Sequence, residues 1–191
     1  MLVTIEDMTQ SAPGQLELVR NFVNTLDVEE HTDELSSPEE LSAWLGERDL
    51  LPEGVRVGPA ALKRAIEVRE ALRRLLLANN GAPLDEEAVE TLNEAISDAA
   101  LSVRFAPDGT PALAVRGSTP GAVIAPIVAI VYEAMVNETW PRLKACAADD
   151  CQWAFFDRSK NHSATWCSMQ VCGNRAKVRA YRERRADSAA G

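Results

Sequence analysis

The chain has 191 residues, 46% apolar, 26% charged and 5% aromatic, the make-up of an ordinary soluble globular protein with one large domain or one domain plus an appendage. Twenty Lys and Arg against 29 Asp and Glu give a net charge of −9, which argues against uniform coating of nucleic acid or membrane. The longest apolar run, Ala122 to Tyr132 with Pro126 inside it, falls well short of the ~20 residues of a membrane span. The acidic start, Glu6-Asp7 with no basic segment, reads against a secretory signal, so a cytoplasmic location is expected.

Leu16, Val19, Phe22, Val23 and Leu26 share one helical stripe, which predicts a helix over 15–26. Ser37-Pro38-Glu39-Glu40 joins a capping box to a proline at the first helical position, and Leu41, Trp44 and Leu45 supply the apolar face of a short helix. Pro52, Gly54 and Gly58 mark 49–58 as a loop. Pro59 to about Asn79 reads as a long helix closed by Asn79-Asn80-Gly81. Asp85 caps the next, which is expected to run to about Ala99 with Leu84 stapled onto Val89. Then the period changes. Leu101, Val103 and Phe105 alternate with polar neighbours, Pro107-Asp108-Gly109 turns, and Leu113 and Val115 alternate again, a β-hairpin. Thr119-Pro120 opens a further helix, apolar through Val136, kinked at Pro126 or starting there. The tail 186–191 is expected to fray. The fold class is mostly α with one β-hairpin.

On the long helix, Arg69 and Arg73 fall within about 20° of the direction of Leu62, along the apolar stripe. A guanidinium there must be paired or reach water. Two readings follow: an internal carboxylate, such as Asp27 or a neighbour of Glu70, or a pocket in which Arg69 and Arg73 bind a small anionic effector.

The charge is unevenly spread. Residues 1–141 carry 10 Lys and Arg against 24 Asp and Glu, net −14, and residues 142–185 carry 10 against 4, net +6. All four cysteines lie in the basic stretch. Cys146 and Cys151 are separated by four residues, Cys167 and Cys172 by four, and the pairs by fifteen. Tetrahedral zinc takes four thiolates delivered as two local pairs, so the spacing points to one structural Zn2+ held by these four; free or disulfide-forming cysteines are the alternative. Trp153, Phe155, Phe156 and Trp166 flank a polar turn, Asp157 to Asn161, the composition of a hairpin between the pairs. A helix is expected from Gly173-Asn174-Arg175 through Arg185, with Cys172 at its start, where the dipole favours a thiolate. Knuckle, hairpin and helix together describe a treble-clef-like module.

The run Cys-x4-Cys-x-Trp-x-Phe-Phe-Asp-Arg-Ser-Lys-Asn, then Trp166-Cys167-Ser168-Met169 and Cys172-Gly173-Asn174-Arg175-Ala176-Lys177, resembles the CGNR zinc-finger family. Phe22-Val23-Asn24-Thr25-Leu26-Asp27 and Val68-Arg69-Glu70-Ala71-Leu72 resemble the ABATE-type helical domain that precedes that finger in bacterial proteins. The resemblance implies a stress-induced transcription regulator, with 1–140 as a sensor domain and 141–186 as a DNA-binding finger. Where basic residues are expected ahead of Trp166-Cys167, this chain has Ser163-Ala164-Thr165, which removes phosphate contacts.

Arg175, Arg179 and Arg182 share one helical face, and with Lys177, and Arg158 and Lys160 in the turn, they form a candidate phosphate-binding surface. The bland alternative is a solvated basic helix. No nucleophile elbow, phosphate-binding glycine loop or His-Glu zinc pair is present, and four thiolates close a zinc site, so an enzyme is not expected. The leading function is transcription regulation, the finger contacting DNA and the helical domain sensing a ligand or partner. The alternatives are a zinc knuckle that docks a protein, and a redox- or metal-responsive protein whose cysteines release zinc on oxidation.

Overall fold

The computed structural model describes residues 11–51 and 55–189, the side chains of 186–189 excepted. The reading of the first seven residues, Pro52 and Gly54 in the loop, and the last two residues lie outside this range.

Helix α1 (Leu16–Val23) buries Leu16, Val19, Phe22 and Val23, as its stripe requires, but stops short of residue 26. Thr25 Oγ1 donates to the Phe22 carbonyl (2.8 Å), and Asn24 turns its amide to a distant backbone, so Leu26 enters a short strand instead. That strand, β1 (Leu26–Asp27), pairs antiparallel with β2 (Thr32–Asp33) around a turn in which the Asp27 carboxylate accepts the N–H groups of Glu29 and Glu30. Helix α2 (Pro38–Gly46) is capped by Ser37, whose hydroxyl accepts the Glu40 N–H. Glu40 reaches back to the N–H and hydroxyl of Ser36. Trp44 of α2 meets Phe22 edge-on, ring centroids 5.5 Å apart.

The long helix α3 (Pro59–Asn79) is the spine, burying Ala65, Val68, Leu72 and Leu76. A glycine is required just beyond it, since Gly81 takes a φ of 98°. Helix α4 (Glu86–Ala95) is capped by Asp85 and ends about four residues before the expected Ala99; Leu84 and Val89 are exposed. The early stop presents Asp98, whose Oδ1 accepts both the Gly121 N–H (3.1 Å) and Arg64 Nη1 (2.7 Å) at the start of α5. Gly121 has no room for a Cβ, which would strike Asp98 and the Ala95 carbonyl.

The predicted hairpin is β3 (Ala100–Phe105) paired with β4 (Pro111–Arg116), Ala100 opposite Arg116 and Phe105 opposite Pro111. Its apolar side chains are not enclosed, however: Val103 and Phe105 are 61% and 72% exposed. Helix α5 (Pro120–Val136) carries Pro126 in its interior and buries Val123, Ile124, Ile127 and Val131.

A second small sheet follows, β5 (Leu143–Ala145) antiparallel to β6 (Ala154–Phe156), Leu143 opposite Phe156. Leu143, Ala145, Ala154 and Phe156 lie in the same apolar core as α1 to α5, so the sheet that precedes and follows the first cysteine pair is packed into the helical body. A π-turn (Met169–Gly173) leads into α6 (Asn174–Ala189). The backbone of α6 stays helical to residue 189, past the point where fraying was expected. The fold is mostly α with small two-stranded sheets. Among the described residues no helix is long and apolar enough to cross a membrane.

Candidate metal centre

The first cysteine pair forms the loop of the β5–β6 hairpin. Cys146 donates its N–H to the Trp153 carbonyl (2.9 Å), and the N–H groups of Cys151 and Gln152 both reach the Ala148 carbonyl, a tight knuckle that ends with Gln152 at a φ of 52°. The expected hairpin between the two pairs is therefore displaced: strands flank the first pair, and 157–166 is a loop. Polar anchoring, not strand pairing, shapes that loop. Buried Asp157 accepts the N–H groups of Ser159 and Ala164 and a 2.8 Å bond from Lys144 Nζ, which also donates to the carbonyls of His162 (2.7 Å) and Ala164 (3.1 Å). Burial opposes the charge on Asp157, but Lys144 and these N–H groups outweigh it and hold its carboxyl at about 2.

The second pair is set by Ser168, whose hydroxyl caps the π-turn at Val171 N–H, and by Gly173, where a Cβ would collide with Met169 and crowd Trp166. Cys172 thus stands at the entrance to α6, as its spacing predicted. The four sulfurs all lie within 4.8 Å of one another, with Cys151 to Cys167 at 3.6 Å and Cys167 to Cys172 at 3.7 Å. Zn–S bonds of about 2.3 Å in a tetrahedron put sulfurs about 3.8 Å apart, whereas a disulfide needs about 2 Å. None of the four cysteines is in a disulfide, and three are buried, against Ala148, Trp153 and Trp166. Their mutual hydrogen bonds drive the Cys146 thiol down and the Cys151 and Cys167 thiols up, since one thiolate so close to its neighbours keeps them protonated. A divalent cation resolves that conflict by taking all four as thiolates. The residues fit one structural zinc ion.

The helical body grips this centre with polar side chains that the sequence reading did not single out. Asn24 makes a two-way bond with Ala154, donating to its carbonyl (2.9 Å) and accepting its N–H (2.7 Å). Asn79 donates to the carbonyls of Trp140 and Leu143, and Asn80 to those of Ala145 and Thr165. Asn79 and Asn80 registered in the sequence only as a helix stop; two adjacent amides at that point were the available signal.

Arg69 and Arg73 are each 2% exposed. Arg69 takes Asp33 in a bidentate grip (2.6 and 2.9 Å), with Glu70 on Nε and Thr25 on Nη1. Arg73 donates to Glu70, to the carbonyls of Val23 and Leu26, and to the Gln152 carbonyl in the knuckle (3.0 Å). Their donors face protein acceptors, which corrects the anionic-effector reading of this pair. The carboxylate partner is Asp33 rather than Asp27, because the β1–β2 turn swings Asp33 over α3 while Asp27 caps its own turn.

Along α6, Arg175 is bound to Glu29 through two bonds (2.6 and 2.9 Å) and lies 3.3 Å from Cys172 Sγ. Arg179 approaches Asp150 at 3.5 Å. Lys177 and Arg182 are exposed and pair with no carboxylate among the described residues. Arg158 donates to the Ser11 carbonyl and lies over the Phe156 ring, whereas Lys160 is exposed.

A closed four-cysteine centre on a knuckle and a helix start, docked on a helical body, defines a zinc-finger protein with an N-terminal helical domain. The ABATE family, described as "Putative stress-induced transcription regulator", matches residues 16–149, and the CGNR zinc finger matches residues 142–185. The chain belongs to the ABATE family and carries a CGNR zinc finger. The two matches share 142–149, the stretch in which β5 lies in the helical core while its end supplies Cys146. No curated protein matches the chain.

Proposed function

We propose that the protein regulates transcription by contacting DNA through the finger, while the helical domain responds to a ligand or partner. The observation that carries this reading is α6: it leaves a rigid metal centre, packs chiefly against the turn that bears Cys172, and holds Arg175, Lys177, Arg179, Arg182, Arg184 and Arg185 on a single helix. A basic helix anchored at one end follows phosphates or enters a major groove. The net −14 of residues 1–141 requires the acidic body to face away from the duplex, since repulsion acts within a Debye length of ~8–10 Å. Fluorescence anisotropy with random duplex at low salt tests the reading; zinc-bearing protein that fails to bind there overturns it.

Val178 and Tyr181, 50% and 55% exposed on the same helix, favour a second reading in which the finger docks a protein partner. Salt-dependent binding to duplex separates the two, because a phosphate contact weakens steeply with salt and an apolar contact does not.

A further inference from the structure

The face of the helical body formed by β4 and α5 carries an opening that neither the metal centre nor the basic helix uses. Two cavities of about 490 and 400 Å³ open between these elements. Both are walled by Pro111, Ala112, Leu113 and Glu133; the larger extends to Leu50, Val115 and Ile130, the smaller to Val103, Tyr132 and Val136. Their size is that of sites for small organic molecules; the smaller is walled mostly by apolar groups, as such sites are, while the larger mixes its apolar wall with Gln15, Asp49 and Glu133. The hairpin over the cleft is a two-stranded sheet, marginal by itself, and Val103 on it, like Tyr132 and Val136 on α5, is more than half exposed.

The charge at this cleft has one sign among the described residues. Glu133 is half-buried, lines both cavities, and its carboxylate has no hydrogen-bond or ion-pair partner among the described residues. Asp49 stands at the larger cavity, and among the described residues neither cavity is lined by a Lys or Arg. A carboxylate without a counter-charge at the edge of an apolar wall suits a cation whose tail lies along that wall. The Tyr132 ring beside it offers a π face to the same cation.

We infer that the β4–α5 cleft binds a small hydrophobic cation, an ammonium group on an apolar body, with Glu133 as its counter-ion and Leu113 as the shared apolar wall. This assigns the effector class to the helical domain and rests on the effector half of the function proposed above. It also reverses the expected sign, from an anion at Arg69 to a cation at Glu133.

The test is calorimetric titration of the full chain with octylammonium, 1-octanol and octanoate, three probes with one tail and three charges. Octylammonium should bind about tenfold or more tighter than octanol, and octanoate weakest. Glu133→Gln should remove the preference for octylammonium while leaving octanol affinity in place, and Leu113→Trp should weaken all three by filling the common wall. Circular dichroism and zinc content establish that each variant folds, and Glu133→Gln alone decides the matter if the tryptophan variant does not. Equal affinities for the three probes, no binding of any at millimolar concentration, or an ammonium preference that survives Glu133→Gln overturns the proposal. DNA binding is measured separately without these probes, so its failure is distinguishable from failure of the cleft.

Discussion

Arg175 on the finger helix and Glu29 in the β1–β2 turn are locked together by two short bonds, Nη1 to Oε1 at 2.6 Å and Nη2 to Oε2 at 2.9 Å. The same guanidinium reaches Cys172 Sγ, so one side chain links a metal ligand to a carboxylate of the acidic half that lies 146 residues before Arg175 in the chain. Arg175 lowers the Glu29 carboxyl below its usual range by hydrogen bonding. A guanidinium so engaged is not free for a phosphate.

Binding to random duplex should therefore distribute unevenly over the basic helix. Lys177, Arg179 and Arg182, each neutralising about one phosphate, correspond to a slope of roughly −3 in log K against log salt. Arg182→Ala and Lys177→Ala should each flatten the slope by about one unit. Arg175→Ala should flatten it by less, and Glu29→Gln should steepen it by releasing Arg175. Anisotropy titrations at several salt concentrations decide; an Arg175→Ala effect equal to that of Arg182→Ala would show that the Glu29 pair opens on DNA.

One zinc per chain is expected by elemental analysis, and none in Cys172→Ser. Metal binding in such modules contributes on the order of 10 kcal/mol of folding energy. Because Leu143, Ala145, Ala154 and Phe156 belong to the main core, removal of zinc should lower the melting temperature of the helical body as well as that of the finger. Two calorimetric transitions, the upper one unmoved by chelation, would instead show that the finger unfolds alone.

The Lys144–Asp157 pair makes the inter-cysteine loop acid-sensitive. The Asp157 carboxyl lies at about 2 in the folded chain against an ordinary 3.8. Its contribution, about 2 kcal/mol, is present in full above pH ~4 and is lost as pH falls toward 2. Lys144→Met should cost about 3–5 kcal/mol by leaving a buried carboxylate unpaired. The double variant Lys144→Met/Asp157→Leu should cost less than the sum of the singles in urea denaturation.

Asn24→Ala leaves both the N–H and the carbonyl of Ala154 without their partner. Two buried groups so exposed should cost about 2–4 kcal/mol. Hydrogen exchange should show the loss in β5 and β6 before it reaches α3 and α5; uniform loss would mean that the sheet and helices open as one unit.

Arg69→Met should destabilise the whole chain by about 3–5 kcal/mol, since it strips Asp33 of its ion-pair partner and leaves Glu70 with Arg73 alone. Asp33→Asn should cost less, because Glu70 and Thr25 remain on the guanidinium. Chemical denaturation ranks the two, and the reverse order would place the stabilising charge on Asp33 rather than in the buried arginine.

The elements legible in the sequence were those governed by neighbours. Helix α3 and its proline start, the Asp85 and Thr119 caps, the β3–β4 hairpin and its turn at Gly109 and the helix after Cys172 all follow from spacing, caps and turn residues within a few positions. The four cysteines were legible for the same reason: 27 residues of chain deliver them as two local pairs to one point. Helix α1 ran short of its stripe because Asn24 answers to Ala154, a partner 130 residues away.

Charge was where local reading failed, because a charged side chain takes its meaning from whatever carboxylate or carbonyl the fold brings to it. A helical wheel placed Arg69 and Arg175 on their faces correctly, but only the tertiary structure showed Asp33 and Glu29 waiting there, each delivered by the small β1–β2 turn. Lys144 and Glu133 look alike in sequence, two charges among apolar residues; the fold buries Lys144 with three oxygen acceptors and leaves Glu133 facing an open cleft. Sequence alone determined the helices, the hairpin and the ligands of the metal, since these depend on periodicity and spacing along the chain. Which arginines are locked and which are free, and where the cleft lies, depended on long-range pairing, and that is decided only when distant segments are packed against one another.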